Sequence, residues 1–431
     1  MKLFHVTPLL LPLATAIAVT KPNFVSYDGY KVFRVKTEHQ LHRVQHLLST
    51  IDFEQWNDDI DSHIDIMLSP EQLPAFESLD LDSHCMHSDL GDSIRAESAR
   101  SSVYKRQVDD MSWYDSYHDI EEHEQYLSDL QAEFPDNSEI VSSGTSYEGR
   151  DIFGIHLWGN DGPGKPAILW HATVHAREWI TAPVVEYITL QLIQGYNEGV
   201  NTTEAFLDAY DFYVFPFVNP DGFVHSRTTE RLWRKNRQPP PPPPANQTCF
   251  GRDINRQWDY EWDANPLGAS TNPCSPTYKG EEPSDSPESQ GLTALVDELR
   301  DTQGIKLYID WHSYGQYILS AWGYNCTVYA QDLGEHINLA SLTSAAIRDV
   351  NNKTFTFGPS CGTLYATTGS SVDYIYGTGK ADWAYTIELR DTGDFGFVLP
   401  PDQILESAEE QWVAMQLILS LLDEPFFEVP S

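Results

Sequence analysis

The chain has 431 residues, 41% of them hydrophobic and 21% charged, with a formal net charge of −37. That length suits two or three domains, or one large domain with an appendage, and the apolar content supports a well-buried core. So acidic a chain would be repelled by nucleic acid, which excludes that class of partner, and no internal apolar run is long enough to span a bilayer.

The first residues read as a secretory signal. Lys2 supplies the positive start, residues 9–19 are mostly apolar, and Ala14-Thr15-Ala16 and Ala16-Ile17-Ala18 are small-x-small cleavage patterns. The signal is placed at 1–18, and the protein is expected to be secreted and extracellular. A small α/β unit follows. Residues 30–35 alternate as a strand, 37–48 carry helical spacing with Leu41, Val44 and Leu48 on one face, and 51–56 and 64–68 read as further strands. Ser69-Pro70-Glu71 opens a short helix, with Ser as N-cap and Pro in the first turn. Residues 80–100 are polar and expected to have little order; they contain Cys85 and lead to the dibasic pair Lys105-Arg106. A dibasic pair after a polar linker in a secreted chain is a candidate processing site. Residues 19–112 are therefore assigned as a small domain with its linker, and 113–431 as the main domain.

In the main domain, residues 118–134 have helical periodicity, and 140–144 with 151–158 form a hairpin pattern around Tyr147-Glu148-Gly149. Strand 167–170, helix 179–196 and strand 211–217 make a β-α-β series; helix 288–302, strand 305–311, helix 331–350, strand 383–389 and helix 403–422 continue it. Such alternation implies an α/β architecture, a mixed, mostly parallel twisted sheet flanked by helices. Sites in such sheets gather at the carboxyl ends of the strands. His175, Asn219, His312 and Glu388 all fall at or just past predicted strand ends. The six prolines 239–244 read as an inserted surface loop in polyproline II conformation.

An odd count of five cysteines leaves at least one unpaired in an oxidising compartment. Cys85 is remote in sequence from the others. The simplest pairing joins Cys249 to Cys274 and Cys326 to Cys361, each bond stabilising by roughly 2–4 kcal/mol. Asn-x-Thr sequons at Asn201, Asn246, Asn325 and Asn352 fit a secreted glycoprotein.

The chemistry centres on His175-Ala-Arg-Glu178. An imidazole and a carboxylate three residues apart, just past a strand end, can meet one metal ion, and both donors suit Zn²⁺. His312 at the end of an apolar strand supplies a third ligand. Two His and one carboxylate leave the fourth zinc position open, the mark of a catalytic rather than a structural site. Glu388 ends another apolar run, where a carboxylate is costly to bury without a task, and it is the candidate general base. Arg177, Arg234 and Arg256 stand out in a chain poor in bases, and guanidinium forks suit a carboxylate.

With those residues in place, the chain resembles the secreted zinc carboxypeptidases of the carboxypeptidase A/B type, the funnelins, in prepro form. The resemblance runs from about Trp113 to Leu422. It is carried by Tyr147-Glu-Gly-Arg-Asp, His175-Ala-Arg-Glu-Trp-Ile-Thr, Phe217-Val-Asn-Pro-Asp-Gly, Leu232-Trp-Arg-Lys-Asn-Arg, Asp253-Ile-Asn-Arg, Cys274-Ser-Pro-Thr-Tyr-Lys-Gly, Trp311-His-Ser-Tyr and Glu388-Leu-Arg-Asp-Thr-Gly. The first domain is similar to the family's small α+β, ferredoxin-like pro-domain, which covers the cleft until it is cut away.

The resemblance implies a role for each site residue. His175, Glu178 and His312 match the ligands of a single Zn²⁺, and Glu388 the general base. Arg234 matches the group that stabilises the oxyanion, and Asn255 with Arg256 the pair that grips the terminal carboxylate. Tyr365 matches a tyrosine that closes over the substrate, while Arg177, Ser313 and Tyr314 match positions along the approach for upstream residues. Val372 aligns with the floor of the pocket for the terminal side chain. Gly323 and Thr386 match the uncharged version of that pocket, and Ser360 and Thr367 are less usual neighbours. A buried cation facing Val would be unpaired, so the expected preference is for C-terminal aromatic and large aliphatic residues. The family also supports the two disulfides. The implied partners are peptide and protein C-termini and an activating protease, and the enzyme is expected to work as a monomer. A non-catalytic peptide-binding relative would be free to lose Glu388, and a zinc deacylase would not need the carboxylate clamp. The chain keeps both.

Overall fold

The computed structural model describes residues 24–38, 40–57, 62–99, 104–243 and 246–424. The proposed signal and its cleavage patterns lie outside the described residues, as does Pro244.

The first part of the chain runs β1 (Lys31–Lys36), α1 (Leu41–Leu48), β2 (Glu54–Gln55), β3 (His63–Leu68), α2 (Leu73–Glu77), β4 (Ser83–His87) and α3 (Leu90–Ser98). Its four strands form an antiparallel sheet in the order β2-β3-β1-β4. Alternation along the strands gives the sheet two apolar faces with different destinations. Val35, Ile64, Ile66 and Leu68 pack on Val44 and Leu48 of α1 and Phe76 of α2, which is this unit's own core. Val32, Trp56 and Met67, with Leu90 and Ile94 of α3, instead pack on Leu232, Phe397 and Val398 of the main domain.

The expectation of little order over residues 80–100 is corrected here, because β4 and α3 occupy most of that stretch. β4 carries Ser83, His84 and His87 beside Cys85 and Met86 rather than an apolar alternation, and it is an edge strand, paired on one side with β1. α3 is capped by Asp89, whose side chain accepts from the Asp92 backbone (3.1 Å). Its buried face carries Leu90, Ile94 and Glu97. A carboxylate on an inward face breaks the apolar pattern that marks a helix.

The main domain continues with α4 (Ile120–Glu133), β5 (Ser138–Thr145), β6 (Asp151–Leu157), β7 (Ala167–Ala172), α5 (Thr181–Asn197), α6 (Asn201–Ala209), β8 (Asp211–Phe215) and α7 (Pro220–Thr228). It is completed by α8 (Pro287–Thr302), β9 (Ile305–His312), β10 (Tyr317–Ser320), α9 (Leu333–Asn351), β11 (Thr356–Pro359), α10 (Ser360–Thr363), α11 (Ser371–Gly377), β12 (Trp383–Glu388) and α12 (Ile404–Leu421). The eight strands form one mixed sheet, β11-β10-β12-β9-β7-β8-β6-β5, parallel through its centre. Apolar clusters cover both of its faces, as continuous runs such as Ala167–Ala172 require of strands buried on two sides. The long expected strands and helices are present. The short elements α6, α7, β10, β11, α10 and α11 were not anticipated.

Both proposed disulfides are formed, Cys249–Cys274 and Cys326–Cys361, and Cys85 is free on β4. The described prolines 239–243 lie in neither helix nor strand; Pro242 and Pro243 are exposed, while Pro241 is buried. Arg252 donates to the Pro239 carbonyl (2.5 Å) and Gln247 to that of Pro241 (3.0 Å).

Candidate active site

The central parallel strands deliver side chains to one edge of the sheet. β9 and β12 run in register, so that His312 lies beside Glu388 as the last residues of both strands. β7 ends three residues before His175, and the turn that follows brings in Glu178. That turn is held from outside. Asn219, the N-cap of α7, donates to the Val174 carbonyl (2.9 Å), and the Ala176 backbone donates to that of Arg234 (2.9 Å). Asn219 therefore supports the site rather than entering it.

His175, Glu178 and His312 converge on one point, with donor atoms all within 4.8 Å of one another and all three residues buried. Glu178 Oε1 is 2.9 Å from His175 Nδ1, and Oε2 is 3.1 Å from His312 Nδ1. The two Nδ1 atoms are 3.1 Å apart. The outer nitrogen of each ring faces a carboxylate: His175 Nε2 lies 3.2 Å from Asp253, and His312 Nε2 lies 3.0 Å from Asp310. With the ring protons on those outer nitrogens, two imidazole lone pairs and a carboxylate converge on one point, a donor set that fits zinc. Electrostatics agree. Burial opposes a charge on His312, yet Asp310 and Glu178 hold its pKa well above the ordinary histidine value, so the pocket favours positive charge at this spot.

The carboxylate Asp253 joins this centre to the neighbouring arginine. Its Oδ1 faces His175, and its Oδ2 accepts from Arg234 Nη2 (2.9 Å) and Nε (3.2 Å). Burial alone would raise its pKa, but Arg234, His175 and Arg256 together hold it well below the usual carboxylate range. At Glu388, desolvation in the covered cleft pushes the carboxyl up to about 8; His312 and Arg234 oppose the rise, and Glu178 and Asp310 add to it. Arg390, two residues on, does not neutralise Glu388. It is committed to Glu410 (2.6 Å) and Glu406 (2.8 Å) on α12.

All but one of the twelve expected non-cysteine site residues line a single cavity of about 280 Å³: His175, Glu178, Arg234, Asn255, Arg256, His312, Ser313, Tyr314, Tyr365, Val372 and Glu388. Asn255 and Arg256 sit in a 3₁₀ turn whose N-cap is Asp253, and Arg256 Nη2 reaches the Tyr365 hydroxyl (3.4 Å). Ser360, Thr367 and Thr386 also line the cavity, while Gly323 does not; a side chain at Gly323 would collide with Thr367. Arg177 is the exception. It stacks over Phe397 (3.9 Å) and reaches Glu54 of the first domain (3.3 Å).

The first domain covers this cavity. Arg34, Trp56, Asn57 and His63 complete its lining. Asp65 is fully buried; it pairs with Arg34 (2.7 Å) and accepts from the Tyr314 hydroxyl (2.7 Å). Trp56 packs against Phe397 with ring centroids 5.4 Å apart. Glu97 of α3 is buried against Arg231 (2.7 Å), whose guanidinium also lies over the Trp179 ring (3.6 Å). None of these cross-domain partners was expected from the sequence. Asp253 and Asp310 also went unassigned, although each lies two residues from a site residue, and a carboxylate two along a strand from His312 shares its face.

The architecture and the donor set define a metal-dependent hydrolase with a built-in cover. A profile of the zinc carboxypeptidases matches residues 123–414, and one of the carboxypeptidase activation peptide matches 32–97. A metallocarboxypeptidase A of Trichophyton equinum is 41% identical over 408 residues, which is 93% of this chain and 94% of that protein. Among solved structures, thrombin-activatable fibrinolysis inhibitor superposes with a TM-score of 0.82 at 25% identity, covering 92% of this chain and 99% of that one. Carboxypeptidase A from Helicoverpa armigera does so with 0.78 at 26%, covering 92% and 98%. The chain belongs to the zinc carboxypeptidase family. It is a metallocarboxypeptidase carrying an activation peptide, and so a zymogen of a C-terminal exopeptidase. No described helix is long and apolar enough to cross a membrane.

Proposed function

We propose that the chain is a secreted zymogen whose catalytic domain, 113–431, removes aromatic and large aliphatic residues from peptide and protein C-termini after loss of the signal, 1–18, and a cut at Lys105-Arg106 that severs the propeptide. The observation that carries this reading is the meeting in one cavity of a candidate metal-binding trio, two arginines and the uncharged Val372.

His175, Glu178 and His312 would hold one Zn²⁺, which when bound supplies a Lewis acid that acidifies water and polarises a carbonyl. Arg256 and the Asn255 amide would grip the substrate's terminal carboxylate, with the Arg256 fork giving two-point recognition. Tyr365, already within reach of Arg256, would close over the bound residue. Val372 would face the terminal side chain, and an Arg or Lys there would lose its hydration without gaining a partner. Arg234 would donate to the oxygen that gains charge as the carbonyl is attacked, its fork held by Asp253. Glu388 would take a proton from the attacking water and return it to the departing amine. Arg177, Ser313 and Tyr314 would contact residues upstream of the cut.

The test uses protein cleaved after Arg106 and loaded with zinc, and compares two blocked dipeptides ending in Phe and in Arg. Fast release of Phe, abolished by a chelator, supports the reading. Fast release of Arg would mean that Val372 is not the pocket floor. Release from neither would overturn the proposed chemistry. An amidated Phe substrate is expected to resist cleavage, since it offers Arg256 no carboxylate.

A further inference from the structure

We infer that Asp310 and Ser371 are positioning residues that aim His312 at the metal and lock that aim to the substrate clamp. The inference rests on the zinc-site reading above.

Asp310 and His312 lie two apart on β9, on the same side of the strand, and both are buried. His312 Nε2 is 3.0 Å from Asp310 Oδ2 and 3.3 Å from the Asn255 amide nitrogen. Only one of these contacts can be a hydrogen bond. Asn255 Oδ1 accepts from the Ser371 backbone (2.8 Å), which turns its NH₂ group towards the ring. Were Nε2 to accept from that group, its lone pair would face a buried carboxylate. The stable arrangement has Nε2–H donating to Asp310, which leaves the Nδ1 lone pair pointed at Glu178 and His175.

Asp310 is itself held. The Ser371 hydroxyl donates to Asp310 Oδ2 (2.5 Å), while the backbone of the same residue holds Asn255. Ser371 thus touches the support of a metal ligand with one group and the carboxylate-gripping amide with another. The next residue is Val372. Metal ligand, clamp and pocket floor are referenced to one turn of chain. Asp253 does the equivalent service for His175, with Arg234 as its second partner.

The experiment measures zinc binding by the metal-free full chain against a chromogenic chelator, for wild type, Asp310→Ala, Asp310→Asn and Ser371→Ala. Loss of such a supporting carboxylate is expected to weaken zinc binding by about 10–100-fold in Asp310→Ala. Asp310→Asn keeps an accepting oxygen without its charge, and Ser371→Ala only loosens the carboxylate, so both should fall between. Melting temperatures of the metal-free forms should not follow that order, and the KM of zinc-saturated, cleaved Asp310→Asn should stay near wild type. Wild-type affinity in Asp310→Asn would overturn the inference, as would losses that track melting temperature across the series. If Asp310→Ala does not fold, Asp310→Asn decides alone. A wild-type chain that takes up no zinc would sink the metal reading itself. Equal binding by wild type and variants sinks only this one.

Discussion

Two imidazole nitrogens 3.1 Å apart, each with a carboxylate behind its ring and a third carboxylate beside them, make a spot that favours positive charge. That local fact links the motif to the proposed chemistry and gives a first prediction. Replacing the proposed base, Glu388→Gln, should lower kcat by about 10²–10⁴-fold, while zinc content, measured by atomic absorption, stays at the wild-type level. Zinc lost together with activity would instead make Glu388 part of the metal site. A second prediction concerns His171 on β7. Burial holds its pKa at about 4, against an ordinary value of 6.5, with Asp310 opposing. Between those values the unfolded chain binds the proton and the folded chain does not, so stability falls as pH drops from about 6.5 to 4. The loss is at most roughly 3 kcal/mol. Melting temperature followed across that range should fall less steeply for His171→Gln than for wild type, and parallel curves would show that other groups set the acid limit. The proposed ligands, base and arginines could be picked out in the sequence because each lies in a short motif. Asp310 had a signal, its place two along the strand from His312, but the Ser371 that holds it is 61 residues away in the chain.

At the level of elements, the strands and long helices were legible because both faces of the main sheet are covered and its strands are continuously apolar. The edge strand β4 and helix α3 were not. β4 has only Cys85 and Met86 as apolar residues, with no alternation, and α3 turns a carboxylate inward because its counterpart is a guanidinium in another domain. That same carboxylate makes α3 testable. Removing one member of a buried ion pair costs roughly 3–5 kcal/mol, since the other charge stays desolvated and unpaired. Glu97→Ala should therefore loosen the cover over the cleft, and the uncleaved variant should hydrolyse a blocked Phe dipeptide at least about tenfold faster than uncleaved wild type. Silence from a folded Glu97→Ala chain would mean that Trp56 and Asp65 close the cleft without help from α3.

For the whole molecule, every cross-domain contact named above comes from residues 32–97, N-terminal to Lys105-Arg106. None of them is covalent, and cutting after Arg106 removes none of them. Arg106 and Lys105 are themselves exposed and paired with Asp129 and Asp110 (both 2.9 Å), outside that interface. Nicked protein should therefore run as one particle in gel filtration, with little gain in activity until the cover is degraded or diluted away. Separation and full activity at the first cut would show that the interface is held by the tether.

The dibasic pair has one more consequence. A cover released by a cut after Arg106 would end in arginine, the side chain that the proposed floor at Val372 would reject. On that reading the enzyme would not digest its own lid. Its switching on would be a lock with two keys, both held by other proteases, and the interval between them a clock set by how slowly Glu54, Asp65 and Glu97 let go.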